Sequence, residues 1–312
     1  MKERAESVAV QDGDLYDMHA VLNRFTGMKP ARLVIVRPYD TASLEAAAAA
    51  AQENVAQPIL VGNRKKMNEL IRKLGIKKDF VFVEASDDNI LEQGASLLHD
   101  NEADFIMKGL VGTGDFIHVL LDPRWRVRTD RILSHVGMLE IPETKRVFLM
   151  SDAAINILPN FSRKIQIVRN AVDAARRIGI RRIRAAMLAA VEKVKLPAMP
   201  ATLDAFLMKK YAETGLFGDC IVDGPFAFDN ALDYRKAAEK GIGGSVAGRA
   251  NVLIVPNIET GNVIWKTITC LQRGPAAGVV LGGSCPIVVP SRADDTKTKI
   301  LSIKFARLLL DG

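Results

Sequence analysis

Several stretches combine glycine, hydroxyl and charged residues in patterns that suit an anion. The first is Lys108-Gly109-Leu110-Val111-Gly112-Thr113-Gly114-Asp115. Its glycines let backbone N–H groups approach an oxyanion closely and Lys108 adds a point charge, so it reads as a phosphate cradle. It is not a Walker loop, because no Gly-Lys-Ser/Thr follows, and a bare glycine pattern is as readily a simple turn. The second is Ser291-Arg292-Ala293-Asp294-Asp295, ahead of a helix running to Leu310 with Ile300, Ile303 and Ala306 on its apolar face. Ser291 and Asp294 have the spacing of a capping box, in which the hydroxyl accepts from the first turn and the carboxylate reaches back. Phosphate binding is compatible with that role, since the helix dipole, its free N–H groups and the Arg292 guanidinium all favour negative charge.

Other polar segments follow aliphatic runs. Asn156 would sit one helical turn beyond Asp152 on the same face, so both could reach a cleft; alternatively Ser151 or Asp152 caps a helix. The segments Asp223–Asn230 and Pro256–Asn262, with Asp223, Glu259 and Asn262, could line one crevice, although turn formation and capping explain each separately. The histidines show no metal-ligand spacing. His19, His99 and His118 read as surface or helix residues, and His135 is placed beside a cleft.

The elements that must position these residues are legible as short aliphatic runs: Arg32–Val36, Pro58–Val61, Phe80–Val83, Phe105–Met107, Val147–Met150, Ala185–Val191, Cys220–Val222, Val252–Val255, Gly278–Leu281 and Ile287–Val289. Each reads as a buried strand. Most are separated by amphipathic stretches such as Ile165, Val168, Ala171, Val172 and Ala175, whose spacing marks a helix face. Such alternation predicts α/β architecture with parallel sheets, and this many strands favours two sheets in two domains. Asp122–Thr144, rich in Arg and interrupted by Pro123 and Pro142, is the expected linker. The alanine run Ala46–Ala51 reads as a helix packed closely on a sheet.

Composition narrows the function classes. With 48% hydrophobic and only 6% aromatic residues, the chain is globular rather than disordered, and it is no aromatic-rich barrel. The net charge of +7 permits anionic ligands without demanding nucleic acid. The basic stretch Arg163–Arg184 lacks interleaved aromatics for base stacking and reads as a solvated face or subunit contact. Cys220, Cys270 and Cys285 fit neither a disulfide framework nor a zinc cage. The N-terminus Met-Lys-Glu-Arg-Ala-Glu is followed by no apolar run, and no stretch reaches a membrane span, so a cytoplasmic protein without membrane or nucleic-acid partners is expected.

Taken in order, the polar segments resemble those of the phosphate butyryltransferase and phosphate acetyltransferase family, the butyryl branch more than the acetyl. The matching blocks are Met107–Val111, Arg128–Val136 (Arg-Thr-Asp-Arg-Ile-Leu-Ser-His-Val), Ser151–Asn156, Ala189–Val194, Met199–Thr202, Ile221–Pro225, Pro256–Asn262 and Pro290–Asp294. The resemblance implies two α/β/α domains with a central cleft, like isocitrate and isopropylmalate dehydrogenases. The first domain would be 1–134 with 290–312 and the second 135–289. It further implies a homodimer that exchanges an acyl group between coenzyme A and inorganic phosphate. Acyl-CoA and acyl phosphate would be substrates, and no metal or nicotinamide cofactor would take part.

By the same resemblance, Arg292 binds phosphate, Ser291 hydrogen-bonds the oxyanion or phosphate, and Lys108, Thr113 and Arg128 add anion contacts. The matched segments also offer Ser134, His135, Asp152, Asn156, Asp223, Glu259 and Asn262 as substrate-binding residues. Acetyl-branch members carry an Asp, the proposed base, where this chain has Thr298, leaving Asp294 as the candidate base with Asp152 and Asp223 as alternatives. A NAD(P)-dependent oxidoreductase of similar fold is the competing reading. Against it, the loop Val36-Arg37-Pro38-Tyr39-Asp40 lacks Gly-x-Gly-x-x-Gly, and no carboxylate cluster suited to a divalent metal stands out.

Overall fold

The structure, a computed structural model, describes residues 10–11, 14–25 and 29–310. The charged N-terminus on which the expectation of no export rests lies outside the described residues. Apart from short 3-10 and π turns, the chain begins with β1 (Val10–Gln11), β2 (Asp14–Tyr16), α1 (Met18–Leu22), β3 (Ala31–Val36), α2 (Thr41–Gln52), β4 (Ala56–Gly62), α3 (Arg64–Lys73), β5 (Val81–Glu84), α4 (Ile90–His99), β6 (Phe105–Lys108) and α5 (Thr113–Leu120). It continues with β7 (Ser134–Glu140), β8 (Arg146–Ser151), α6 (Phe161–Arg177), β9 (Ile183–Leu188), α7 (Pro200–Ala212), β10 (Cys220–Phe226), α8 (Phe228–Leu232) and α9 (Tyr234–Glu239). The last elements are β11 (Val252–Ile254), α10 (Ile258–Lys266), β12 (Ala276–Leu281), β13 (Ile287–Val288) and α11 (Thr296–Leu310). Every aliphatic run read as a strand overlaps one of these.

The chain divides into two compact units. An N-terminal unit comprises Leu22–Leu133 with Ala277–Asp311, and a central unit comprises Ser134–Ala276 with the described part of Met1–Val21. Against an expected crossing near 135 and return near 290, the divisions fall at 133/134 and 276/277. The return comes earlier because β12 and β13 pair as a hairpin, Val280 opposite Ile287, and β13 joins β6.

In the N-terminal unit the sheet order is β5-β4-β3-β6-β13-β12. All neighbours are parallel except β12, which runs against β13. β3 and β6 are almost wholly buried, which explains their unbroken Val, Ile and Leu character. β5, by contrast, is a half-exposed edge with Val81 58% exposed, not the buried strand expected. The alanine-rich α2 buries Ala46, Ala47 and Ala50, and small side chains let it lie close to its neighbours. Asp40 caps it, accepting from Ser43 N.

In the central unit the order is β10-β9-β11-β8-β7, parallel except for β7, which is antiparallel to β8. The core includes Leu139, Phe148, Met150, Leu253 and Trp265. β7 corrects the expected linker, because Ser134–Glu140 lies inside Asp122–Thr144 and is buried along its whole length. Its sequence hid this, since Ser134, His135 and Gly137 break the aliphatic run. Gly137 is required where it stands, because an added Cβ would lie 2.6 Å from the Trp265 ring. The Glu140 carboxylate at the end of the strand is satisfied by Met18 N at 2.7 Å and Lys145 Nζ at 3.1 Å.

The basic stretch Arg163–Arg184 does not form one face. Lys164 and Arg184 are buried, Lys164 pairing with Asp204 at 2.6 Å, while Arg169, Arg181 and Arg182 are exposed. Among the described residues no helix is long and apolar enough to cross a membrane, and no group of His, Cys, Asp or Glu could hold a metal ion.

Gly94 in α4 tests how tightly a helix closes on the N-terminal sheet. A Cβ there would collide with Val36 Cγ2, a stiff β-branched side chain. Alanine would add about 1 kcal/mol of helix propensity, but overpacking costs about 1–3 kcal/mol. Gly94→Ala is therefore expected to lower stability in denaturant titration. An unchanged or raised midpoint would contradict this packing.

Candidate functional site

Three parallel strands of the N-terminal unit end side by side. Val36 is in register with Lys108, and Val288 with Met107. The loops after β3, β6 and β13 therefore emerge together beyond the carboxyl ends, where open α/β folds bind ligands. Gly109 N donates to Val36 O at 2.7 Å and Leu110 N to Arg37 O at 2.9 Å, fastening the first two loops together. A Cβ on Gly109 would collide with the Arg37 carbonyl, so only glycine permits this approach.

Lys108, the last residue of β6, is 3% exposed and forms no side-chain hydrogen bond or ion pair among the described residues. Burial, then the nearby charges of Lys299 and Arg292, hold its ammonium below the ordinary lysine value, while Asp294 and Asp40 oppose the shift. Three cations thus gather with two carboxylates, and an anion is the ligand that would relieve the imbalance.

The segment after β13 departs from the expected capping box. Asp294 Oδ2 does accept from Ser291 N at 2.8 Å, but Ser291 Oγ accepts from Ala293 N at 3.3 Å in a turn that precedes the helix. α11 begins at Thr296, and Asp295 caps it, accepting from Thr298 N at 2.8 Å. Asp295, the residue after the closed turn, takes the capping role, and Arg292 is exposed within the turn. Thr298 carries no carboxylate to this place; its carbonyl accepts from Ser302 Oγ.

Sequence reading missed Lys299 and Asp40. Lys299 Nζ is 2.7 Å from Asp40 Oδ1 and 3.1 Å from Ser43 Oγ, with its side chain 4% exposed. Burial alone would raise the Asp40 pKa, but hydrogen bonds from Lys299 and Ser43 outweigh it and hold the carboxyl below the usual range. Thr296 Oγ1 also donates to Glu45 at 2.6 Å. These bonds tie α11 to α2 and so fix the turn carrying Ser291 and Arg292. The only sequence signal was Asp40 three residues before Ser43, a capping pattern whose partner lay far along the chain.

Thr113 opens α5, but Asp115 in the first turn lies against Gly112, so that helix start already has a carboxylate. Arg128 is not in the group: it bridges Gly283, just past the end of β12. Because β12 is antiparallel to β13, that end lies away from Lys108 and Ser291.

In the central unit, Ser134, His135, Asp152 and Asn156 come together where β7 begins and β8 ends. Ser151 Oγ donates to His135 O at 2.7 Å, and Asn170 Nδ2 to Ser134 Oγ at 2.8 Å. The His135 ring is buried edge-on to Trp265 at 5.3 Å. Residues 151–156 are not the helix expected. Instead Asp152, 2% exposed, folds a loop by accepting from Ala154 N, Ile155 N and Asn156 N and from Asn156 Nδ2 at 2.6 Å. Asn156 Oδ1 in turn accepts from Arg163 at 2.7 Å. Asp223 pairs with Lys209 at 2.7 Å. Glu259 and Asn262 lie exposed on α10, whose cap is Asn257, accepting from Thr260 N at 3.0 Å.

Comparison with known proteins places the chain among the acyltransferases. Residues 81–306 match the family described as phosphate acetyl/butaryl transferase, and the chain belongs to it. It is 35% identical over 291 residues to the phosphate butyryltransferase of Clostridium beijerinckii, covering 93% of this chain and 96% of that relative. It is 33% identical to the phosphate acetyltransferase of Thermotoga maritima, covering 89% and 95% of the two chains. A branched-chain phosphotransacylase from Enterococcus faecalis superposes with a TM-score of 0.80 at 28% identity, over 90% of this chain and 99% of that one. The comparisons give the oxidoreductase alternative no support.

Lys299→Met should leave Asp40 without its cation and cost about 3 kcal/mol, as breaking a largely buried pair does. Because the Asp40 pKa is depressed on folding, its contribution is full above the ordinary carboxylate range and is lost as pH falls through the lowered value. Asp40→Asn is accordingly expected to flatten the acid limb of a stability–pH profile. An acid limb identical to wild type would contradict the pair.

Proposed function

We propose that the chain exchanges a short-chain, butyryl-like acyl group between coenzyme A and inorganic phosphate, acyl-CoA + phosphate giving acyl phosphate + CoA. The observation that carries the site reading is Lys108, buried without a counter-ion beside Arg292 at aligned strand ends. Finer parts of the reading are a two-domain architecture like that of isocitrate and isopropylmalate dehydrogenases, a homodimer, and a cytoplasmic setting. No metal or nicotinamide enters the transfer.

In the thioester-forming direction a base must take the thiol proton, because the thiol has a pKa of about 8.5 and is a poor nucleophile until ionised. The thiolate forms the new C–S bond at the acyl carbon as the C–O bond to phosphate breaks. Arg292 and Lys108 bind the departing phosphate, and Ser291 Oγ serves the oxyanion. Asp294 is the favoured base. Its charge is felt at Lys108, and its Oδ2 is oriented by Ser291 N. Asp152 is spent on four donors in its own loop, and Asp223 on Lys209, which weakens both alternatives.

The test is thiol release from butyryl-CoA with inorganic phosphate and no nicotinamide. Phosphate-dependent release is expected; none across acetyl-, propionyl-, butyryl- and branched acyl-CoAs would overturn the reading. Arg292→Ala should lower kcat/KM for phosphate about 100-fold or more. Its melting temperature should hold, since Arg292 is exposed. Full activity in that variant would remove Arg292 from the site while leaving the family reading intact.

A further inference from the structure

We propose that Arg37 and Lys66 form a second phosphate grip in the N-terminal unit, one that holds the nucleotide phosphates of coenzyme A; the inference rests on the acyl-exchange reading. Both residues, and the Tyr39 ring they share, lie outside residues 81–306 that match the family.

Arg37 is the residue after β3 and is tied directly to the Lys108 loop. Val36 before it is in register with Lys108. The Arg37 carbonyl accepts from Leu110 N at 2.9 Å and from Tyr39 N at 2.8 Å, with φ at 54°. Residues other than glycine seldom hold that left-handed conformation, and such constraints cluster at ligand sites.

The guanidinium is poorly answered by the protein. Its nitrogens make no hydrogen bond among the described residues, and Nε is buried without a partner. Asp87 lies 3.6 Å from a terminal nitrogen, too far for a hydrogen bond, and both side chains are open to solvent. The Tyr39 ring centroid is 5.6 Å from the guanidinium carbon, and Lys66 Nζ is 5.6 Å from the same centroid. The two cations therefore stand no farther apart than twice that distance. The ring that gathers them is fixed in place. Tyr39 Oη accepts from Asn63 N at 2.6 Å, and a Cβ on Gly62 would lie 2.7 Å from that oxygen, so glycine at the end of β4 makes room for it. Lys66 N donates to Asn63 Oδ1 at 3.0 Å, which holds the first turn of α3 beside the ring.

The chemistry selects the occupant. A phosphate oxygen pair would satisfy Nε and a terminal N–H together while meeting the Lys66 charge. The reacting phosphate is already assigned to Lys108 on β6. Coenzyme A carries further phosphates on its nucleotide, separated from the thiol by the flexible pantetheine arm. The strands run β4-β3-β6, about 4.8 Å apart, so Arg37 and Lys66 flank Lys108 from one and two strands away, within reach of that arm.

The test compares wild type, Arg37→Met and Lys66→Met with butyryl-CoA, with butyryl-pantetheine, which lacks every phosphate, and with inorganic phosphate as the varied substrate. KM for butyryl-CoA is expected to rise about tenfold in Arg37→Met and about threefold in Lys66→Met, as the loss of one charged contact implies. Values of kcat/KM for butyryl-pantetheine and of KM for inorganic phosphate should stay at wild type. Lys66 is exposed, so its variant stands in if Arg37→Met misfolds. An unchanged butyryl-CoA KM in the folded variants, an equal loss with butyryl-pantetheine, or a loss that falls on inorganic phosphate would overturn the grip while leaving acyl exchange standing. A wild-type protein inactive toward every acyl-CoA would overturn the acyl-exchange reading, and the grip with it.

Discussion

The shared ending of β3, β6 and β13 governs the N-terminal unit. Parallel registers with Val36 opposite Lys108 and Val288 opposite Met107 bring out three loops at one place, and a slip of one residue would turn every side chain of a strand to the other face. Gly109 lets two of the loops touch, and the turn at Ser291–Asp294 closes on itself before α11 begins. What assembles there is positive: Lys108, Lys299 and Arg292 against Asp40 and Asp294.

Burying cations so close together requires compensation, and the structure supplies it unequally. Lys299 has Asp40 and Ser43 within hydrogen-bond range, so its charge is answered inside the protein. Lys108 has no such partner among the described residues, and burial with two neighbouring cations lowers its affinity for the proton. The result is a division of labour. One lysine holds α11 against α2, and the other is buried without a hydrogen-bond or ion-pair partner among the described residues. The net +7 of the whole chain is therefore a poor guide to function, whereas the local imbalance at one set of strand ends is a specific one.

Much of this was legible from sequence because buried strands are short, unbroken aliphatic runs, and each run expected overlaps a strand, although β5 is a half-exposed edge. The exceptions have physical causes. β7 was read as linker because Ser134, His135 and Gly137 interrupt its apolar character, although each is buried: Ser134 meets Asn170, His135 packs on Trp265, and Gly137 yields room to that indole. The helix expected from Ser151 is a loop because Asp152 bonds three successive N–H groups, which no spacing rule separates from a helix cap. The charges of Arg292 and Asp294 are felt at Lys108, and Ser291 N donates to Asp294, through loops that follow neighbouring strands. Lys299 and Asp40 escaped notice because a buried ion pair joins residues remote in sequence, and Arg128 falls away because β12 reverses direction.

The central claim is that the aligned strand ends hold the phosphoryl group through Lys108. Calorimetric titration of inorganic phosphate into the wild-type protein and into Lys108→Met tests it without relying on turnover. The account expects saturable binding to wild type that weakens with added salt and falls at least tenfold in the variant. Equal phosphate affinity in the two proteins, with both folded, would contradict it.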